Sequence, residues 1–297
     1  MSRDSLIAVW HSVWRVVLLA TCLAIATLQT ASAVQTVVVQ DIADVHRAPN
    51  DSSERVTQAL LGERCQVAEQ RAGWARISLP SQFGYSGWVR ASALGTQEAD
   101  EAGNQVVVTA ASVVIRKQAN KSAPPFTRAY LGTLLWLGSN MNPSRGWYGI
   151  ILPDGQTGYV STTDVAPRET IQPTPAAVLA TARKYVGTKY LWGGMSVRGI
   201  DCSGLTHTVY RCYGVRIHRD ADQQFAYDGK PVSMGALRPG DLVFFKNSQG
   251  TEISHVGLYV GDGNFVHASS KQGGVSTSSL SLPAFKARYA GARRVLK

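Results

Sequence analysis

The feature that most constrains this chain is an internal repeat followed by an abrupt change of pattern. One segment runs from about Val34 to Leu94 and a second from about Gln105 to Val165. Each opens with a β-branched run, Thr36-Val37-Val38-Val39 in the first and Val106-Val107-Val108 in the second. Each then passes an arginine followed by a polar loop (Arg47-Ala48-Pro49-Asn50; Arg116-Lys117-Gln118-Ala119-Asn120) and a Leu-Gly turn (Leu61-Gly62; Leu131-Gly132). A Gly-Trp pair follows (Gly73-Trp74; Gly146-Trp147), and a Gly-aromatic-Val run ends the unit (Gly87-Trp88-Val89; Gly158-Tyr159-Val160). Short β-branched and aromatic runs broken by Gly and Pro predict small all-β units, and their recurrence predicts one module used twice.

Beyond Arg168–Pro173 the pattern changes. Thr174-Pro175 reads as an N-cap with proline at the first helical position, Ala176 to Val186 as a helix, and Gly187 as its stop. A second helix is expected from Asp201 to Tyr213, with Leu205, Val209 and Cys212 near one face and Gly214 after its end. Strand-like stretches follow at Asp241 to Phe245, His255 to Val260 and Phe265 to Ala268. Helices first and antiparallel strands later predict an α+β domain. The polar stretches 97–104 and 168–173 read as linkers. The expected organisation is a leader at 1–33, small barrels at 34–97 and 104–168, and an α+β domain at 174–297.

The leader has Arg3 and Arg15 in a basic lead, a mostly apolar run from Val16 to Leu28, and Ala31-Ser32-Ala33 as a small-residue cleavage site. The run is short of the roughly 20 residues a membrane span needs, so cleavage after Ala33 and export to the periplasm or beyond the cell are expected, with no stable membrane span. The whole chain has 30 Lys and Arg against 20 Asp and Glu. Losing Arg3, Arg15 and Asp4 leaves 28 against 19, a net charge of +9. A basic exported protein is drawn to anionic polymers such as envelope glycans. No nucleic-acid motif is present, and nucleic acid is not an expected partner. The mature chain keeps Cys65, Cys202 and Cys212. Three cysteines cannot all pair within one molecule, so at least one thiol is free.

Cys202 is the candidate nucleophile. It opens a helix in the run Gly199-Ile200-Asp201-Cys202-Ser203-Gly204-Leu205. A thiol there meets the positive end of the helix dipole and unpaired N–H groups, which favour the thiolate and offer an oxyanion site. The competing reading is a buried structural cysteine. Of the five histidines in the mature chain, His46 reads as barrel surface or core, His207 lies on another face of the nucleophile's helix, and His218 reads as a solvated loop residue. His255 and His267 lie in consecutive strands joined through Gly261-Asp262-Gly263. Side chains alternate along a strand, so a two-residue turn puts these histidines on opposite faces and a three-residue turn puts them on one. A base oriented by a second imidazole needs the odd count. Packing histidines are the competing reading. No metal site or cofactor is expected, because the motif run lacks zinc-ligand spacing.

Taken together these residues resemble the NlpC/P60 family of cell-wall cysteine peptidases, which have a papain-like core. The resemblance rests on Asp201-Cys202-Ser203-Gly204-Leu205, Leu237-Arg238-Pro239-Gly240-Asp241-Leu242, His255-Val256-Gly257 and the later His267. The repeated units resemble bacterial SH3 domains. Tyr190-Leu191-Trp192-Gly193-Gly194, Arg219-Asp220 and the paired modules further resemble a subgroup that cuts the γ-D-glutamyl bond to the diamino acid in stem peptides with an unblocked L-alanine. The resemblance implies Cys202 as nucleophile, His255 as base and His267 as its orienter. It implies that the first SH3-like domain leans over the cleft, with Glu54 and Tyr85 joining Asp201 at the substrate's amine. Tyr190, Trp192, Ser203, Arg219 and Asp220 complete the implied substrate-binding set. Ala221 departs from the subgroup's usual Ser and removes one substrate hydrogen bond. From the residues alone, Tyr190 and Trp192 also fit a packing shelf, Asp201 a helix N-cap, and Arg219-Asp220 a surface ion pair. The implied partners are peptidoglycan stem peptides or muropeptides, acted on by a monomer. The other functions open to such a chain are a broader endopeptidase on intact wall, a non-catalytic wall-binding protein, and amidase or acyl-transfer chemistry on the same core.

Overall fold

The computed structural model describes residues 34–98, 104–138 and 143–297. The leader expected at 1–33 lies outside the described residues, as does most of the linker expected at 97–104. The first repeat folds into seven strands, β1 (Val34–Val38), β2 (Ile42–His46), β3 (Arg55–Leu60), β4 (Gln66–Arg71), β5 (Trp74–Leu79), β6 (Tyr85–Arg90) and β7 (Leu94–Glu98). Five of them form an antiparallel sheet in the order β3-β2-β6-β5-β4, and β1 pairs with β7. Val38, Val45, Ala59, Ala75, Ile77 and Val89 point inward to a common core. The second repeat supplies β8 (Gln105–Val108), β9 (Ser112–Arg116), β10 (Pro125–Tyr130), β11 (Leu134–Leu137), β12 (Trp147–Ile151), β13 (Thr157–Ser161) and β14 (Val165–Pro167). Its order, β10-β9-β13-β12-β11-β8-β14, repeats that of the first strand for strand. The one departure is the join between β8 and β11, which the first module reduces to a single bridge between Val37 and Arg64.

The repeated Leu-Gly turn has a use that its local pattern does not reveal. Gly62 and Gly132 both adopt left-handed backbone, φ +72 and +86, which glycine allows without a Cβ clash. The leucine before each glycine is buried in the next unit rather than its own. Leu61 joins the core of the second module, and Leu131 joins the core of the α+β domain. Each buried leucine contributes about 1.5–3 kcal/mol, so the turns dock successive units with apolar surface.

The α+β domain begins at α1 (Pro175–Arg183), capped by Thr174, whose Oγ1 accepts the Ala177 N–H at 3.2 Å. The helix stops at Arg183, short of the expected Val186. Lys184, Tyr185 and Val186 instead bond to the carbonyls three residues back, which tightens the last turn into a 3₁₀ form. A small ribbon follows, β15 (Met195–Ser196) with β16 (Gly199–Ile200), then α2 (Cys202–Arg211) and α3 (Ala221–Tyr227). The main sheet is built from β17 (Lys230–Val232), β18 (Leu242–Lys246), β19 (Ile253–Gly261), β20 (Asn264–Ser269), β21 (Gly274–Ser279) and β22 (Tyr289–Arg294), in the antiparallel order β17-β22-β18-β19-β20-β21. A short helix, α4 (Pro283–Lys286), precedes β22. One sheet face, with Phe244, Val256, Leu258 and Val266, packs on Val178 of α1 and on Leu205 and Val209 of α2. The other, with Val243, Phe245, Tyr259 and Phe265, packs on Phe285 of α4.

The β19–β20 hairpin corrects one expectation. Its turn has two residues, Asp262 and Gly263, closed by the pair Gly261↔Asn264. Both turn residues have positive φ, +51 and +71, as a type I′ turn requires. A bulge between Tyr259 and Gly261 adds the odd residue. From there Leu258 pairs Val266, which sets His267 opposite Gly257 and on the same face as His255. Parity is thus restored by the bulge and not by a three-residue turn. Gly257 makes room for the arrangement, since a Cβ there would lie 2.4 Å from the Phe265 ring and 3.2 Å from the Cβ of His267.

Candidate active site

Cys202 is the first residue of α2 and is 8% exposed. The helix starts there because Asp201 caps it, its Oδ1 accepting the Gly204 N–H at 2.6 Å. Asp201 Oδ2 accepts the Gly193 N–H at 2.9 Å, which ties the preceding loop to the same carboxylate. Arg219, 1% exposed, completes the arrangement. Its Nη1 and Nη2 donate to Asp201 Oδ1 at 3.1 Å and Oδ2 at 2.6 Å. Nη1 also donates to Ser203 Oγ at 3.0 Å, and Nε donates to Thr57 Oγ1 of the first module at 2.9 Å. The surface pair of Arg219 with Asp220 therefore does not form. Arg219 pairs with Asp201 inside the protein, and Asp220 lines the cleft with Tyr85. Burial raises Asp220, while Arg219 and Tyr85 partly offset that.

Burial pushes the Cys202 thiol up to about 12, and the charge of Asp201 adds to the shift. The N–H groups of Val256 and Ser203, with Arg219, favour the thiolate. Val256 follows His255, so β19 brings the histidine's backbone to the sulfur. Burial lowers His255 to about 3, with the neighbouring His267 and Arg288 adding to the effect, and burial lowers His267 to about 4. Burial thus works against the thiolate at Cys202 and against the charged form of both imidazoles. His255 Nε2 lies 2.8 Å from His267 Nδ1, and His267 Nε2 lies 2.9 Å from Ser278 Oγ. Phe245, Phe265 and Phe285 wall the two rings.

A cavity of about 220 Å³ opens over Cys202. Of the residues singled out from sequence, Glu54, Tyr85, Tyr190, Trp192, Asp201, Ser203 and Asp220 line it with Cys202. Arg219 lies outside the lining and acts on it through Asp201 and Ser203. Glu54, from the first module, accepts from Trp192 Nε1 at 2.9 Å and from Arg47 Nε at 2.6 Å. The Arg47 bond holds the Glu54 carboxyl below its usual range. Trp192 is 59% exposed and is no packing shelf; its carbonyl accepts from Arg55 Nε at 3.1 Å. Sequence reasoning missed Arg47, Asp222, Ile253 and Ser254, which also line the cavity. Ile253-Ser254 was within reach, because it continues the strand of His255. Nothing local marks Arg47, which arrives through a loop closed by Arg47 N–H donating to Glu54 O at 2.8 Å.

The other histidines are accounted for. His218 is not a solvated loop residue. It stacks on Phe83 with ring centroids 4.1 Å apart and contacts Asp228 Oδ1 through Nδ1 at 2.8 Å. His207 is buried, its pKa lowered by burial to about 4. His46 places Nδ1 2.9 Å from Ser53 O.

Comparison with known proteins bears on this geometry. Residues 187–294 match the NlpC/P60 family, and residues 45–94 match the bacterial dipeptidyl-peptidase Sh3 domain. A γ-D-glutamyl-L-lysine dipeptidyl-peptidase of Bacillus cereus is 34% identical over 254 residues, covering 81% of this chain and 75% of the relative. A protein of the same name from Bacillus subtilis is 29% identical, with 80% of each chain covered. Over 111 residues, 37% of this chain and 57% of the relative, the chain is 44% identical to the murein DD-endopeptidase MepS/murein LD-carboxypeptidase of Escherichia coli. The crystal structure of an NlpC/P60 family protein from Bacillus cereus superimposes with a TM-score of 0.78 at 26% identity, covering 89% of this chain and all of that one. An SH3-like domain at the N-terminal side, a mixed α/β domain after it, and this similarity along most of the chain lead to one assignment: the chain belongs to the NlpC/P60 family of cysteine peptidases.

Proposed function

We propose that this protein hydrolyses the γ-D-glutamyl–diamino acid bond of peptidoglycan stem peptides that carry a free N-terminal L-alanine. The observation that carries this reading is the cavity over Cys202, which joins a helix-terminal thiol to acidic and phenolic side chains of the first module. In this reading His255 takes the Cys202 proton on Nδ1, with Nε2 turned to His267. The move converts a neutral pair into two charges that stabilise each other. The thiolate attacks the side-chain carbonyl of D-glutamate. N–H groups at the start of α2 hold the oxyanion. His255 then protonates the leaving amine, and water releases the acyl group.

Glu54 is the proposed acceptor for the substrate's ammonium, with Tyr85 and Asp220 beside it. The oxygens of Asp201 already accept from Gly204, Gly193, Arg219 and Ser203. An ammonium reaches Asp201 only by sharing those acceptors, so its proposed role is to hold the helix start and the cleft loop in place. Tyr190 and Trp192 are proposed to flank the peptide, and Ser203 with Arg219 to shape the cleft floor. The second module is proposed as a second SH3-like barrel on the strength of its matching strand order. We further propose that the leader directs export and that the substrates are muropeptides released from glycan.

Mass spectrometry of the protein incubated with L-Ala-γ-D-Glu-diaminopimelate tripeptide, and with its N-acetylated form, tests the proposal. Cleavage of the free peptide alone, lost in Cys202→Ala, is the expected result. Cleavage of both peptides removes the amine gate and favours action on intact wall. Cleavage of neither removes the peptidase reading.

A further inference from the structure

The histidine pair does not end at His267. Its Nε2 lies 2.9 Å from Ser278 Oγ, and both residues are buried. Ser278 sits on β21, where β20 and β21 pair so that Ser276 is opposite His267. Ser278 in turn lies 3.1 Å from Gln272 Nε2, and the Gln272 Oε1 accepts from Ser276 Oγ. Gln272 itself is exposed and caps the chain at the surface.

The protons along this line are interdependent. A neutral imidazole carries one proton, and the hydrogen bond at one nitrogen settles which nitrogen holds it. For His255 to take a proton on Nδ1, its own proton must sit on Nε2 and point at His267 Nδ1. His267 must then carry its proton on Nε2 and donate it to Ser278. Ser278 must accept. If Ser278 donates instead, both imidazoles reverse, and the proton arrives on His255 Nδ1, where it blocks the base. A hydroxyl can do either, so the direction rests on what lies beyond it. The two serines flanking Gln272 can each give or take a proton, and the amide therefore fits between them either way round. The structure turns Nε2 toward Ser278; with the amide turned round so that Oε1 faces Ser278, every bond from His255 to Gln272 runs in one direction and each donor has an acceptor.

We propose that Ser278 is a positioning residue that sets the tautomer of His267, and through it that of His255, with Gln272 directing the Ser278 hydroxyl. This rests on Cys202, His255 and His267 being the reacting set. Ser278 is not among the residues lining the cavity over Cys202, and its effect belongs to the proton transfer rather than to binding.

The test compares Ser278→Ala and Ser278→Thr with the unaltered full chain, using the free tripeptide. It measures kcat, KM, and the pH dependence of Cys202 alkylation by iodoacetamide, with the modified cysteine located by mass spectrometry. Thermal unfolding of each variant checks folding. Ser278→Ala is expected to lower kcat about tenfold, the size of one hydrogen bond's net effect, while KM stays within about twofold. Its alkylation profile is expected to move to higher pH, because the imidazolium that balances the thiolate loses support. Ser278→Thr keeps the hydroxyl and is expected to restore both readouts. A Ser278→Ala protein with the original kcat and alkylation profile overturns the proposal. So does equal impairment of the Ala and Thr variants, which assigns Ser278 to packing alone. Persistent cleavage by Cys202→Ala strikes at the reacting set itself and separates that failure from a failure of Ser278.

Discussion

The two seven-stranded modules share one strand order and present different chemistry to the rest of the chain. The loop that closes on Arg47 brings Glu54 to the cleft, and the equivalent closure on Lys117 brings Pro124. Two residues before the glycine that pairs with Ile77, the first module has Tyr85; two before the glycine that pairs with Ile150, the second has Gln156. The contrast is sharpest at the Leu-Gly turn. In the second module Thr133 Oγ1 accepts the Tyr130 N–H at 3.2 Å. In the first, Glu63 Oε2 does the same for Leu60 at 2.9 Å, and also accepts from Arg211 of α2 at 2.8 Å. Burial works to raise the Glu63 carboxyl, but Arg211 and the Leu60 N–H outweigh it and hold it low. Strand order therefore fixes where a side chain can reach, and a few loop positions decide whether the module acts as a wall of the cleft or only as a spacer.

The largest expected effect separates those turns. Glu63→Ala leaves the Arg211 charge unpaired in a buried site and is expected to cost about 3–5 kcal/mol. Thr133→Val removes one hydrogen bond and is expected to cost about 1 kcal/mol. Denaturant unfolding of both proteins measures the gap, and equal losses would show that the two turns are equivalent after all. Next come the docking leucines. Leu61→Ala and Leu131→Ala are each expected to cost about 3 kcal/mol, since both are at least 98% buried. Loss of peptidase activity is expected only near the unfolding midpoint of each variant.

The cleft gives the third prediction. Glu54→Gln is expected to weaken kcat/KM for the free tripeptide about thirtyfold, the size of one charge-assisted hydrogen bond. Gln156→Ala, at the position in the second module that matches Tyr85, is expected to leave kcat/KM within about twofold. A large effect of Gln156→Ala on steady-state kinetics would place the second module at the substrate too. A last effect acts on the whole fold rather than on one turn or cleft residue, and it concerns acid. Burial lowers His207, His255 and His267 to about 4, 3 and 4, whereas an unfolded histidine titrates near 6.5. Below about pH 6.5 the unfolded chain thus binds more protons than the folded one, and stability falls as pH falls. The thermal midpoint is expected to drop between pH 7 and pH 4, with a shallower slope in His267→Asn. An unchanged slope in that variant would locate the acid sensitivity elsewhere.

Much of this was open to a reader of the sequence. The repeat was visible because strand alternation and Gly-bearing turns are local patterns, and each module needs little else to form its core. The start of α2 was visible because a cap, a small-residue run and an apolar face lie within a dozen residues, Asp201 to Cys212. The need for an odd residue between His255 and His267 followed from strand parity alone. What supplied that residue, the bulge before Gly261, depends on how β19 lies against β20, and no local pattern encodes it. The partner of Arg219 was beyond reach for a similar reason. Its neighbour Asp220 is adjacent in sequence, yet burial gives the advantage to the carboxylate that already caps α2 and can accept both guanidinium nitrogens. Glu54 meeting Trp192, Glu63 meeting Arg211 and Ser278 meeting His267 are likewise contacts between segments that only folding brings together. Periodicity and capping are written in neighbouring residues, so the chain's elements and the helix start that carries Cys202 are legible from them. The pairing of buried charges and the contacts of the buried histidines are settled by which distant groups exclude water together, and that is a property of the tertiary structure.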